Sequence, residues 1–138
     1  MATALEDKDA IRELLAEYCY RLDNYRFDDM AALFTEDGTW DTAFGSGTTR
    51  AGIVGQLQKI AALSPDPKPK RIHHCPNLVI RLSGDTAKVT SNWVVVENSD
   101  AGPRISSAGG YADDLVKLNG GWLFKYRKID RFIAPGLH

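Results

Sequence analysis

Apolar positions follow a helical period in the first half of the chain and alternate with polar ones in the second. Over residues 7–22, Ile11, Leu14, Leu15, Tyr18 and Leu22 form one stripe, which predicts a helix. The segment "DNYR" reads as a short loop. Asp28 and Asp29 then suit the positive start of a second helix, with Phe27, Met30, Leu33 and Phe34 as its apolar face. Residues 39–44 alternate Trp40, Thr42 and Phe44 and read as a short extended piece, and "GSG" reads as a loop. A third helix is expected over residues 51–63, with Ile53, Leu57 and Ile60 inward. The prolines of "SPDPKPK" end it.

The second half reads as four strands, over residues 71–82, 87–98, 104–118 and 122–133, joined by "SGD", a Gly-Pro loop and the hairpin signal "NGG". Short loops imply antiparallel neighbours. Helices first and a meander afterwards predict an α+β fold in which helices cover one sheet face. The third strand carries "SSAGGYADD", and glycines inside a strand mark a bend or bulge. A sheet bent in this way wraps into a cone around the helices, and its open end leaves a cavity for a ligand.

The 138 residues suffice for one domain over positions 1–138. Net charge is −1, which argues against nucleic acid or an anionic membrane as a partner, and "PKPKR" reads as a solvated loop. No apolar run approaches the ~20 residues of a membrane span, and the acidic start "MATALEDKDAIREL" does not read as a signal peptide. Cys19 and Cys75 make no disulfide framework, so reduced thiols in a cytoplasmic protein are expected. With no H-x-H or C-x-x-C spacing, and with His138 terminal, no metal site is expected. G-x-S-x-G, P-loop and G-x-G-x-x-G motifs do not occur, which sets aside serine-hydrolase, NTPase and dinucleotide-binding readings.

Asp23 falls where the first helix should end, against the negative end of its dipole. It lies roughly 100° from the centre of the apolar stripe, at the stripe's edge beside Cys19. A cation nearby would relieve both the burial and the dipole; an aspartate capping the turn into the second helix is the other reading. "RIHHCPN" supplies the possible cation. His73 and His74 are neighbours on a strand start and so face opposite sides, and alternation does not decide which faces inward, because Pro76 breaks the ladder. A histidine oriented by a buried aspartate is a general base suited to neutral pH. Tyr18, one turn before Asp23, is either core or a hydrogen-bond donor to a substrate oxygen. On the last strand Trp122, Phe124 and Tyr126 share one face. Leu123, Lys125, Arg127 and Ile129 share the other, whose ordinary fate is solvent.

Three helices followed by a curved sheet, with "AIRELLAEYCYRLDNYRFDDMAALFTEDGTW" and "GGWLFKYRKIDRF", resemble the SnoaL-like group of the nuclear-transport-factor-two-like superfamily. That group includes polyketide cyclases, scytalone dehydratase, a bile-acid dehydratase and a hexachlorocyclohexane dehydrochlorinase. The resemblance covers nearly the whole chain. It implies that Tyr18 and Asp23, separated by four residues, and His73 are the catalytic groups. It also implies that Arg127, five residues after Trp122, reaches the pocket, and that Glu97 stands where some members have an aspartate.

Trp40, Trp93, Glu97 and Arg127 are thus expected to bind substrate, a small apolar cyclic or aromatic molecule. The implied activity is a cofactor-independent lyase of the dehydratase type. An isomerase or cyclase, or a non-catalytic ligand-binding or partner subunit, are the alternatives. Members commonly dimerise through the sheet, so a homo-oligomer, dimer or trimer, is expected. Trp93, Val95, Phe124 and Tyr126 are candidates for one sheet face or the other.

Overall fold

A computed structural model describes residues 1–137; His138 lies outside them. Helix α1 spans Ala4–Asp23. A reciprocal capping box opens it: Glu6 N–H donates to the Thr3 hydroxyl and Thr3 N–H to the Glu6 carboxylate. Its stripe, Ile11, Leu14, Leu15, Tyr18 and Cys19, is buried. Helix α2 is shorter than the periodicity suggests, Phe27–Ala31. Phe34 instead opens strand β1, Phe34–Thr42, pairing in parallel with Phe124 while Phe124 N–H donates to the Leu33 carbonyl. Tertiary pairing overrides the local helical pattern here, and Arg50 donates twice to the Phe34 carbonyl.

The "GSG" segment is a strand too, β2, Gly45–Thr48. A Cβ on Gly47 would lie 2.5 Å from the Gly52 carbonyl oxygen, so glycine lets helix α3, Arg50–Ala61, pack on this strand. Pro76 divides the first long strand into β3, Arg71–His74, and β4, Leu78–Ser83. Both pair with β5, Thr86–Ser99, which pairs with β6, Gly102–Leu118, and β6 with β7, Gly121–Ile133. The result is one seven-stranded curved sheet in the order β2-β1-β7-β6-β5-β3, with β4 also on β5. Only the β1–β7 pairing is parallel among those described.

Irregularities in the ladder bend the sheet. Ser106 is the extra residue opposite Val95 and Val96, Lys125 the extra one opposite Asp114 and Leu115, and Phe132 the extra one opposite Ala108 and Gly109. At the last, a Cβ on Gly109 would lie 1.9 Å from the Asp130 carbonyl oxygen; no other residue permits that approach. The inner face carries Trp93, Val95, Tyr111, Leu115, Trp122 and Phe124, packed on the α1 stripe. Tyr126, expected beside Trp122 and Phe124, is displaced by the bulge at Lys125 and donates its hydroxyl to Asp41, 2.5 Å away. No helix among the described residues is long and apolar enough to cross a membrane.

Candidate active site

Between the end of α1, helix α3 and the concave face of β5–β7 lies a cavity of about 440 Å³, a size suited to a small organic ligand. Tyr18, Asp23, Trp40, His73, Trp93 and Glu97 all line it, as do Tyr111 and three arginines.

Asp23 is the last residue of α1. The chain leaves through Asn24, whose amide donates to the Tyr20 carbonyl at 2.8 Å, and through Tyr25, held in the left-handed region at φ 57. The Tyr25 hydroxyl donates to the Pro69 carbonyl at 2.6 Å, which draws the segment entering β3 against the helix end. Strand β3 ends the sheet order, so one of its backbone edges is unpaired. Asp23 fills it. His73 N–H donates to Asp23 Oδ2 at 2.8 Å, and His73 Nδ1 lies 2.5 Å from Oδ1. The carboxylate therefore fixes both the main chain and the ring. An ionised carboxylate only accepts, so Nδ1 carries the proton of the neutral ring and Nε2 keeps its lone pair. The two side chains are 12% and 18% exposed, sheltered without being sealed off. His74 is exposed on the opposite face, which resolves the parity left open by Pro76.

Tyr18 is fully buried, and its hydroxyl accepts the Trp40 indole N–H at 2.8 Å. Its own proton is left to be donated. Burial pushes this phenol well above its ordinary pKa, against the opposing pull of the Arg127 guanidinium and of the Trp40 hydrogen bond. It stays protonated throughout the neutral range. The Trp93 ring lies 6.4 Å from the His73 ring, and Tyr111 stands edge-on to Tyr18 at 5.8 Å.

Arg127 differs from both expectations, for it neither meets solvent nor lines the cavity. The bulge at Lys125 reverses strand parity, so Trp122, Phe124 and Arg127 all turn inward. The guanidinium is fully buried, donating to Asp113 through Nε at 2.8 Å and Nη2 at 3.1 Å. It stacks over Tyr111 at 3.6 Å and Tyr18 at 4.2 Å, behind the cavity wall. Burial raises the Asp113 carboxyl, while the guanidinium beside it acts the other way. Neither Tyr111 nor Asp113 stood out in the sequence. The signal was their shared parity with Leu115, which places an acid on an inward-facing register.

Glu97 sits between two guanidiniums, with Arg71 Nε and Arg104 Nη2 each 2.8 Å from one of its oxygens. Hydrogen bonds from Arg71 and then Arg104 hold its carboxyl below the usual range. A lowered folded-state pKa stabilises above the unfolded value and is lost as pH falls through the folded one. Melting curves of the wild type and of Glu97→Gln should therefore differ at neutral pH and converge only once the pH falls below the ordinary glutamate range.

The thiols are not nucleophiles at neutral pH, since burial pushes Cys19 up to about 12 and raises Cys75 as well. Among the described residues, no three His, Cys, Asp or Glu side chains converge as a metal set.

The SnoaL-like domain model matches residues 3–128. The chain belongs to the SnoaL-like family. It is 31% identical over 124 residues to the uncharacterized Mycobacterium tuberculosis protein Rv2910c, covering 86% of this chain and 80% of that one. A Nostoc punctiforme protein of unknown function with a cystatin-like fold superposes with a TM-score of 0.83 at 24% identity, over 98% of this chain and 96% of its own. An NTF2-like protein from Novosphingobium aromaticivorans gives 0.80 at 20% identity, over 96% and 86%. These two likenesses concern the fold. The SnoaL-like match and these folds agree with the curved α+β sheet read from the sequence.

Proposed function

We propose that this SnoaL-like protein is a lyase of the dehydratase type, acting on a small, mostly apolar cyclic or aromatic substrate. The observation that carries this reading is the two-point clamp of Asp23 on His73 inside an apolar cavity. His73 Nε2 takes a proton from a carbon beside an activating group, and Asp23 stabilises the imidazolium that forms. The C–H electron pair becomes the new double bond as the carbon–oxygen bond breaks. Tyr18 donates a hydrogen bond to the departing oxygen, which takes from His73 the proton removed from the carbon and leaves as water, so that both side chains end as they began. Trp40, Trp93 and Tyr111 hold the ring system and exclude water.

Proton transfer and elimination lie within the chemistry of these side chains, so the proposal needs no cofactor. The test is to incubate the protein with hydroxylated polyketide, steroid and aromatic compounds and weigh the products. Loss of one water mass supports the lyase. Turnover at unchanged mass replaces it with an isomerase or cyclase using the same base, and no turnover across the panel removes the reading. The reduced thiols fit a cytoplasmic setting.

A homo-oligomer belongs to the same proposal, but through different residues from those expected. Trp93, Val95 and Phe124 are buried inside the fold. The outer face instead exposes Ile72, Val96 and Ile105, cross-strand neighbours on β3, β5 and β6, and Phe132 of β7, which lies over Gly110. Light scattering should give a dimer or trimer mass, and Ile105→Glu with Phe132→Glu should shift it to the monomer. A monomeric wild type would end this part of the proposal.

A further inference from the structure

The polar groups of the cavity are not spread evenly. At the inner end, Asp23 is committed to His73. The more exposed charges of the lining are Arg71 and Arg104, 36% and 55% exposed, and the half-buried Arg131, with one further carboxylate, Glu97. Arg71 and Arg104 share Glu97, and Arg104 uses only Nη2 to reach it. Among the described residues Arg131 has no carboxylate partner. Its guanidinium lies 4.9 Å from the centre of the Phe44 ring, another residue of the cavity wall. Stacking on an aromatic ring fixes the plane of a guanidinium while leaving its in-plane donors free.

A guanidinium surplus in a cleft with low-dielectric walls concentrates positive potential where a ligand enters. The surplus does nothing for a neutral hydrocarbon ring and lowers the cost of bringing in an anion. Ser106 and Ser107 add hydroxyls to the cavity wall.

We infer that the ligand of this cavity is an amphiphile: its ring system sits between Trp40, Trp93 and Tyr111, and a carboxylate on it is held by Arg131 on the side toward solvent. This inference rests on the proposed function for the ring-bearing substrate, and it adds the acid group and the residue that selects it. Arg131 touches no reacting atom. It sets which molecules enter and the direction in which they lie, with the ring end toward His73 and the acid end toward solvent. A bidentate guanidinium–carboxylate pair is directional, so it also fixes rotation about the long axis of the ligand.

Binding tests this without any assay of chemistry, because Trp40 and Trp93 line the cavity and report occupancy by fluorescence. Benzoate, 2-naphthoate and anthracene-9-carboxylate are titrated in parallel with the three corresponding primary amides. At least one carboxylate should bind about tenfold or more tighter than its amide, since a charge-assisted pair is roughly twice as strong as a neutral one. Raising the salt concentration should narrow the gap. Arg131→Gln, with wild-type circular dichroism, should bring acid and amide within about twofold, and Arg131→Lys should keep part of the preference.

His73→Ala should leave the preference intact, which separates this inference from the proposed chemistry. If elimination fails but the acid preference holds, the site is an acid-binding cavity with another role. Equal binding of acid and amide by the wild type, binding of none of the carboxylates at millimolar concentration, or an undiminished preference in Arg131→Gln would each overturn the inference.

Discussion

Replacing His73 with alanine should lower the elimination rate by about 10²–10⁴-fold while leaving the fold intact, the range expected for losing a positioned general base. The ring is half-buried at a sheet edge and contributes little to the core, so the melting temperature should move little. Asp23→Asn makes the sharper comparison. The amide can still accept the His73 backbone N–H through its oxygen, but it carries no charge to stabilise an imidazolium. Its rate should fall almost as far as that of His73→Ala, and the double variant should be barely worse than either single one, because the two groups act as a unit. Rates unchanged in both variants, with folded protein, would take the dyad out of the mechanism.

Asp113→Ala should be the most destabilising single change at a polar position. It leaves the Arg127 guanidinium fully buried without its carboxylate, and Arg127 Nη1 already has no hydrogen-bond partner. Breaking a buried pair from one side costs roughly 3–5 kcal/mol, which for a domain of this size is a fall in melting temperature on the order of 10 °C. Replacing both partners, as in Asp113→Leu with Arg127→Met, should recover most of the loss, because the cost lies in the stranded charge and not in the absent attraction. The double variant also tests the role of the pair behind the site. Tyr18 and Tyr111 rest on the guanidinium, and the Tyr18 hydroxyl is placed by that packing and by Trp40. A stable double variant with reduced turnover would show the ion pair to be a positioning element for Tyr18. A single variant as stable as the wild type would mean that the guanidinium finds water or another partner.

The periodic elements were legible in the chain because their cause is local. The stripe from Ile11 to Leu22 makes α1 amphipathic whatever it packs against, Pro76 breaks its strand for want of an N–H, and Gly109 marks a bulge because no Cβ fits there. The family resemblance, not periodicity, singled out Tyr18, Asp23 and His73, and those three side chains line the cavity.

Other features depended on long-range pairing. Phe34 left its helical pattern to pair with β7. Lys125 slipped out of the ladder, and that one extra residue turned Arg127 from an expected surface or pocket residue into a buried partner of Asp113. A strand's side-chain period is two, so a single bulge inverts every position after it, and no local signal in "WLFKYRK" announces where it falls. The sequence by itself determined helices α1 and α3, the antiparallel pairing of the C-terminal strands and the residue types available for proton transfer. The tertiary structure alone decided which histidine met Asp23, which acid held Arg127 and which arginine was left without a carboxylate, because each depends on register between segments far apart in the chain.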